Sequence, residues 1–188
     1  MTEDRADRTD RADLAVRADL AGRADLAGRA DRAGSELIDG RLPARRGPAT
    51  GRVVITLILM AVDEACGPDL LAVQSVPVAV GGGHHLRPAM IVISLVDAHR
   101  VPVPIAAPLL IVDLVTAEWE PRDRAAVYAA AGLPHWWTVD LGGRRGVTIT
   151  EYRLRGGCYE VAQRTGGIFE TVVPFPVRLD LPGLAAWA

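Results

Sequence analysis

Asp113 stands inside the run Pro-Leu-Leu-Ile-Val-Asp-Leu-Val at 108–115, where every neighbour is apolar. An unpaired carboxylate in such a strand carries a desolvation penalty that folding rarely tolerates, so the residue is either paired or functional. Two cations are candidates for the pair, Arg87 and Arg124. All 21 basic residues of the chain are Arg. A guanidinium keeps its proton, with a pKa above about 12, so it can neutralise charge but cannot serve as a base. Glu118 and Glu120, flanking Trp119 ahead of Pro121, could add a carboxylate, although a solvated loop suits them better. Asp123 fits the first turn of a helix, where a negative charge complements the dipole. His84 and His85 follow three glycines, so an exposed turn is favoured over a metal pair. His135 precedes Trp136 and Trp137 at a helix-to-strand corner and is expected at the surface. Strand alternation is expected to turn one of the two indole rings inward, as packing rather than as a stacking platform.

The composition limits what those residues can do. Hydrophobic residues make up 49% of the chain and aromatic ones 5%, so the core must be built mainly from Val, Leu, Ile and Ala. The formal net charge is −2 and neither half departs far from neutrality, so a nucleic-acid surface would have to be a local patch. Cys66 and Cys158 have no metal-ligand spacing and are too few for a disulfide framework. The N-terminal residues lack the apolar stretch of a signal peptide. The longest apolar run, Val53 to Val62, falls far short of the roughly 20 residues of a membrane span. The expected compartment is the cytoplasm.

These side chains need elements to place them, and the sequence divides in two. Residues 1–35 form a tail built on a six-residue repeat of Arg-Ala-Asp units. A period of six moves Leu14, Leu20 and Leu26 around a helix instead of along one stripe, and Gly22, Gly28 and Gly34 weaken it further. A domain is expected over 36–188. Glu36–Leu42 reads as a strand with a turn at Asp39-Gly40, and Val53–Cys66 as a buried helix stopped by Gly67-Pro68. Asp69 then falls in a turn after the helix. Strands are expected at Leu70–Val80, Leu86–Ser94, Leu109–Val115 and Trp136–Leu141, with a short helix over Arg122–Ala131 ended by Gly132. The unbroken apolar runs 90–93 and 109–112 suit central strands buried on both faces. Val147–Leu154 and Cys158–Arg164 pair as a hairpin around Arg155-Gly156-Gly157, and a last strand lies near Phe169–Val173. The fold class is α/β (α+β), a mixed central sheet flanked by helices.

Several motifs in order resemble the Uma2 family, described as putative restriction endonucleases with a PD-(D/E)xK nuclease fold. They are Glu-Leu-Ile-Asp-Gly at 36–40, Arg-Pro-Ala-Met-Ile-Val-Ile at 87–93 and Pro-Leu-Leu-Ile-Val-Asp-Leu-Val at 108–115. The most specific is Tyr-Ala-Ala-Ala-Gly-Leu-Pro-His-Trp-Trp-Thr-Val-Asp at 128–140. The resemblance implies Mg²⁺-dependent hydrolysis of DNA, with an Asp and a Glu holding the metal and a Lys supporting the attacking water. In this chain those positions carry Ala89, Asp113 and Arg124. A methyl group cannot ligate a metal, Asp is one carbon shorter than Glu, and Arg cannot act as a base. Asp113 therefore reads either as a remnant metal ligand, with Arg124 as charge stabiliser, or as half of a structural pair. The expectation is a degenerate and inactive nuclease. The alternatives are a non-catalytic module of the same fold binding DNA or protein, and a decaying paralogue without a selected role.

Overall fold

The computed structural model describes residues 49–81, 84–115, 121–143 and 146–186. The repeat tail, the strand expected at 36–42, and Thr116 to Glu120 with both candidate glutamates lie outside the described residues, as do the side chains of His84 and Asp123.

The first helix, α1 (Ala49–Ala65), starts four residues before the expected Val53. Its apolar positions Val54, Ile58 and Val62 recur at helical spacing and are fully buried. Gly67 ends the segment in the left-handed region, at φ 82°. The chain then enters β1 (Leu70–Gln74), β2 (Val78–Gly81), β3 (His84–Leu86) and β4 (Met90–Ser94). The single strand expected at 70–80 is thus two, because Ser75 adopts φ 56° and redirects the chain before Pro77. Asp69 sits in the turn before β1 and is exposed, as its sequence context indicated.

Beyond a two-residue strand β5 (Val103–Pro104) come β6 (Leu110–Val115), α2 (Pro121–Ala130) and β7 (His135–Gly143). A long hairpin follows, β8 (Gly146–Arg155) and β9 (Cys158–Thr165), turning through Gly156 and Gly157. The chain closes with β10 (Ile168–Thr171), β11 (Val177–Asp180) and a short helix α3 (Leu181–Ala185). β11 and α3 have no counterpart among the sequence-based expectations.

The main sheet has the order β1-β4-β6-β7-β8-β9. Every pairing in it is antiparallel except β6 with β7, which α2 joins as a crossover. Two cores result, one on each face. Met90, Val92, Leu110, Val112 and Trp137 pack against α1, with Phe169 and Leu181 closing that side. Ile91, Ile93, Ile111 and Trp136 face the other way, toward Tyr128 and Leu133 and the small sheet of β2, β3 and β5. No helix among the described residues is long and apolar enough to cross a membrane.

Gly146 opens β8 at φ 75°, and a Cβ there would stand 2.8 Å from the Ala185 methyl. Gly146→Ala is expected to lower stability by about 1–3 kcal/mol. Urea denaturation of the two proteins measures it.

Candidate active site

Alternation along β6 sends Val112 toward α1 and Asp113 to the opposite face, beside Ile111 and across from Thr138 of β7. Asp113 is only 1% exposed. Arg124 reaches it from α2, and its Nη1 donates to Oδ1 at 2.5 Å. One turn further along the helix, the Tyr128 hydroxyl donates to Oδ2 at 3.0 Å. The Trp136 indole N–H, from β7, donates to the same oxygen at 3.0 Å. Arg124 Nη1 also lies 3.3 Å from the Tyr128 hydroxyl, so the four side chains form one buried network. Burial pushes the Asp113 carboxyl up from its ordinary value, while the Arg124 guanidinium and the donors from Trp136 and Tyr128 pull it back down.

Of the two arginines the sequence offered, Arg124 is the partner; Arg87 Nη1 donates to the Ser75 carbonyl at 3.3 Å. Aromatic rings wall the network. Trp136 meets Tyr128 edge-on at 5.5 Å between centroids and stacks on Tyr152 at 4.6 Å. Tyr159 closes the cluster, and its hydroxyl donates to the Leu133 carbonyl at 2.7 Å. Burial, reinforced by the Asp113 charge, pushes the Tyr159 phenol far above its ordinary value.

Ala89 immediately precedes β4. The β4–β6 ladder begins with Met90 opposite Val112 and does not include Ala89. Its methyl packs against the core on the α1 side. His84 and His85 open β3 instead of standing in an exposed turn, and His85 is half-buried. No group of three or more His, Cys, Asp or Glu that could hold a metal occurs among the described residues.

Two expectations on β7 are corrected. Trp136 and Trp137 are both buried, at 1% and 0% exposure, because the sheet is covered on both faces and alternation finds a core either way. His135 is half-buried instead of exposed, and its Nδ1 is buried without a hydrogen-bond partner among the described residues, as is the indole nitrogen of Trp137. Burial lowers the His135 pKa below its usual 6.5; Glu151 acts against that shift and Arg153 adds to it.

Glu151 is a second buried carboxylate, at 0% exposure, and was not singled out from the sequence. It accepts from Arg153 Nε at 2.9 Å, Gln163 Nε2 at 2.8 Å and the Thr171 hydroxyl at 3.2 Å. The signal was present in β8, where Val147 and Ile149 mark the inward face and Glu151 continues it.

The structure is similar to that of a putative nuclease belonging to DUF820 from Anabaena variabilis, with a TM-score of 0.63 and 16% identity. The match covers 81% of this chain and 90% of that one, and it establishes a common fold. The chain belongs to the Uma2 family, described as "Putative restriction endonuclease", whose model matches residues 25–185. No curated protein matches the chain.

Removing one half of the buried pair strands the other charge. Arg124→Met is expected to cost about 3–5 kcal/mol, and Asp113→Leu combined with Arg124→Met to recover much of that loss. Urea denaturation of the single and double variants, read as a cycle, gives the coupling. Acid should act through His135. Its folded pKa lies below the unfolded one, so its contribution is complete above about pH 6.5 and is lost as pH falls through the folded value. Stability measured from pH 7 to pH 5 is therefore expected to fall less steeply in His135→Gln than in the wild type.

Proposed function

We propose that this chain keeps the restriction-endonuclease-like scaffold of its family while a structural ion pair has replaced the metal-dependent hydrolytic centre. What remains on this reading is a non-catalytic binding module, with DNA as the first partner by family likeness. The observation that carries the reading is the saturation of Asp113. One carboxylate oxygen accepts from a permanently charged guanidinium, and the other accepts from a phenol and an indole.

Mg²⁺ requires near-octahedral oxygen ligation and gives up its waters reluctantly. The described side chains do not fit that demand. Asp113 would have to surrender its donors, and Arg124 would place a positive charge against the ion. Ala89, where the resemblance implies the second carboxylate, carries only a methyl group, which packs on the α1 side of the sheet. Arg124 therefore neutralises Asp113 from inside the protein, where an ion would otherwise do so. Family likeness supports DNA as the partner, and the net charge of −2 limits any such surface to a local patch.

Plasmid DNA incubated with wild type, Asp113→Ala and Ala89→Asp in Mg²⁺ or Mn²⁺ tests the reading. Wild type is expected to leave the plasmid intact, and any gain of nicking is expected in Ala89→Asp. Metal-dependent cleavage by the wild type that Asp113→Ala abolishes would overturn the proposal.

A further inference from the structure

Across the sheet from Asp113, an open groove of about 500 Å³ lies between the end of β8 and the β10–β11 hairpin. Arg153, Arg178, Glu170, Thr171, Val172 and Pro176 line it. Its face follows from the register. Glu151 pairs with Trp137, which packs on the α1 side, and Arg153 is bonded to Glu151.

The two guanidiniums are held alike. Arg153 Nε meets Glu151 Oε1 at 2.9 Å, and Arg178 Nε meets its cross-strand neighbour Glu170 at 2.8 Å. No other ion pair or hydrogen bond engages either guanidinium among the described residues. A guanidinium has two bonding edges, and a contact through Nε leaves the edge between the two Nη groups for a second acceptor. That planar fork matches the oxygens of a phosphate.

The pairs differ in rigidity. Arg153 is oriented by a carboxylate at 0% exposure that Gln163 and Thr171 also hold, so little freedom is lost when it binds. The Arg178–Glu170 pair is exposed, at 69% and 64%, and pairs of that kind exchange readily for a better-matched anion. Val172, 74% exposed, and Pro176 add an apolar rim for the uncharged part of a ligand. The volume falls within the range of about 300–1,000 Å³ typical of small-ligand sites.

We propose that this groove binds a phosphate group between the free edges of Arg153 and Arg178, displacing Glu170 as it enters. The phosphate belongs either to a free nucleotide or to the backbone of a nucleic acid. Glu151 and Glu170 cancel the two positive charges, so selection depends on the fork geometry more than on net charge. The site shares no residue with the Asp113 network, and a cleavage result at Asp113 leaves it untouched.

Calorimetric titration with inorganic pyrophosphate, a deoxynucleoside monophosphate and a short single-stranded DNA tests it on the full chain. Saturable binding is expected for pyrophosphate. Arg178→Gln should weaken it about tenfold, the loss expected for one charge-assisted contact. Glu170→Gln should tighten it a few-fold by removing the competing carboxylate. Arg153→Lys keeps a cation beside Glu151 but loses the fork, and should also weaken binding about tenfold. Mononucleotide binding as tight as that of the oligonucleotide assigns a small-molecule site. Much tighter oligonucleotide binding, with a salt dependence that Arg178→Gln reduces, assigns backbone contact. The absence of saturable binding by all three probes, or binding indifferent to Arg178→Gln and Glu170→Gln, overturns the proposal.

Discussion

A carboxylate that leaves water for the centre of a β-sheet must recover its solvation from whatever the fold can bring to it. At Asp113 the fold brings a guanidinium, a phenol and an indole from two elements, the crossover helix α2 and the strand β7 that follows it. This requirement ties the architecture together. α2 must lie over β6 for Arg124 and Tyr128, one turn apart, to reach the same carboxylate. β7 must run parallel to β6, in the register that sets Ile111 beside Trp136, for the indole to reach it as well. A buried pair is weak evidence for stability, because matched apolar residues can fill such space at equal or lower free energy. It is better evidence for specificity, since another register or another placement of α2 would leave a charge without a partner.

The same interaction bears on chemistry. A metal centre needs carboxylate oxygens that point at one another with lone pairs to spare. Here one strand offers a methyl group and the next a carboxylate whose two oxygens already accept three donors. The guanidinium cannot release its proton, so Arg124 can neutralise charge but cannot take a proton from water. On the reading proposed above, the central strands of the family persist while their chemistry changes.

Much of this was legible in the residues. The apolar runs through 90–93 and 109–112 declared central strands, and Asp113 within one of them declared a paired or functional group. Arg124 was one of two arginines, with Arg87, that the sequence offered as its partner, and the structure pairs Arg124 with it. The motif at 128–140 located the helix end, the turn and β7. What was not legible depended on contacts distant in sequence. β11 and α3 are short and carry weak local signals; they are fixed by packing on the core that Phe169 and Leu181 close. The exposure assigned to His135 and to one tryptophan assumed a sheet with one wet face, whereas this sheet is covered on both. Glu151 lay on a legible inward face, but two of its three partners, Gln163 and Thr171, come from β9 and β10, which alternation within β8 cannot reveal.

The adjacent indoles of β7 have a consequence for how the molecule comes apart. Trp136 belongs to the core around α2, and Trp137 to the core around α1, where it meets Phe169 edge-on at 4.8 Å. Two of the largest buried side chains are thus anchored to neighbouring backbone units in opposite layers. Loosening either layer frees an indole and removes restraint from the stretch of β7 that anchors the other. The two layers are therefore expected to open together rather than in sequence.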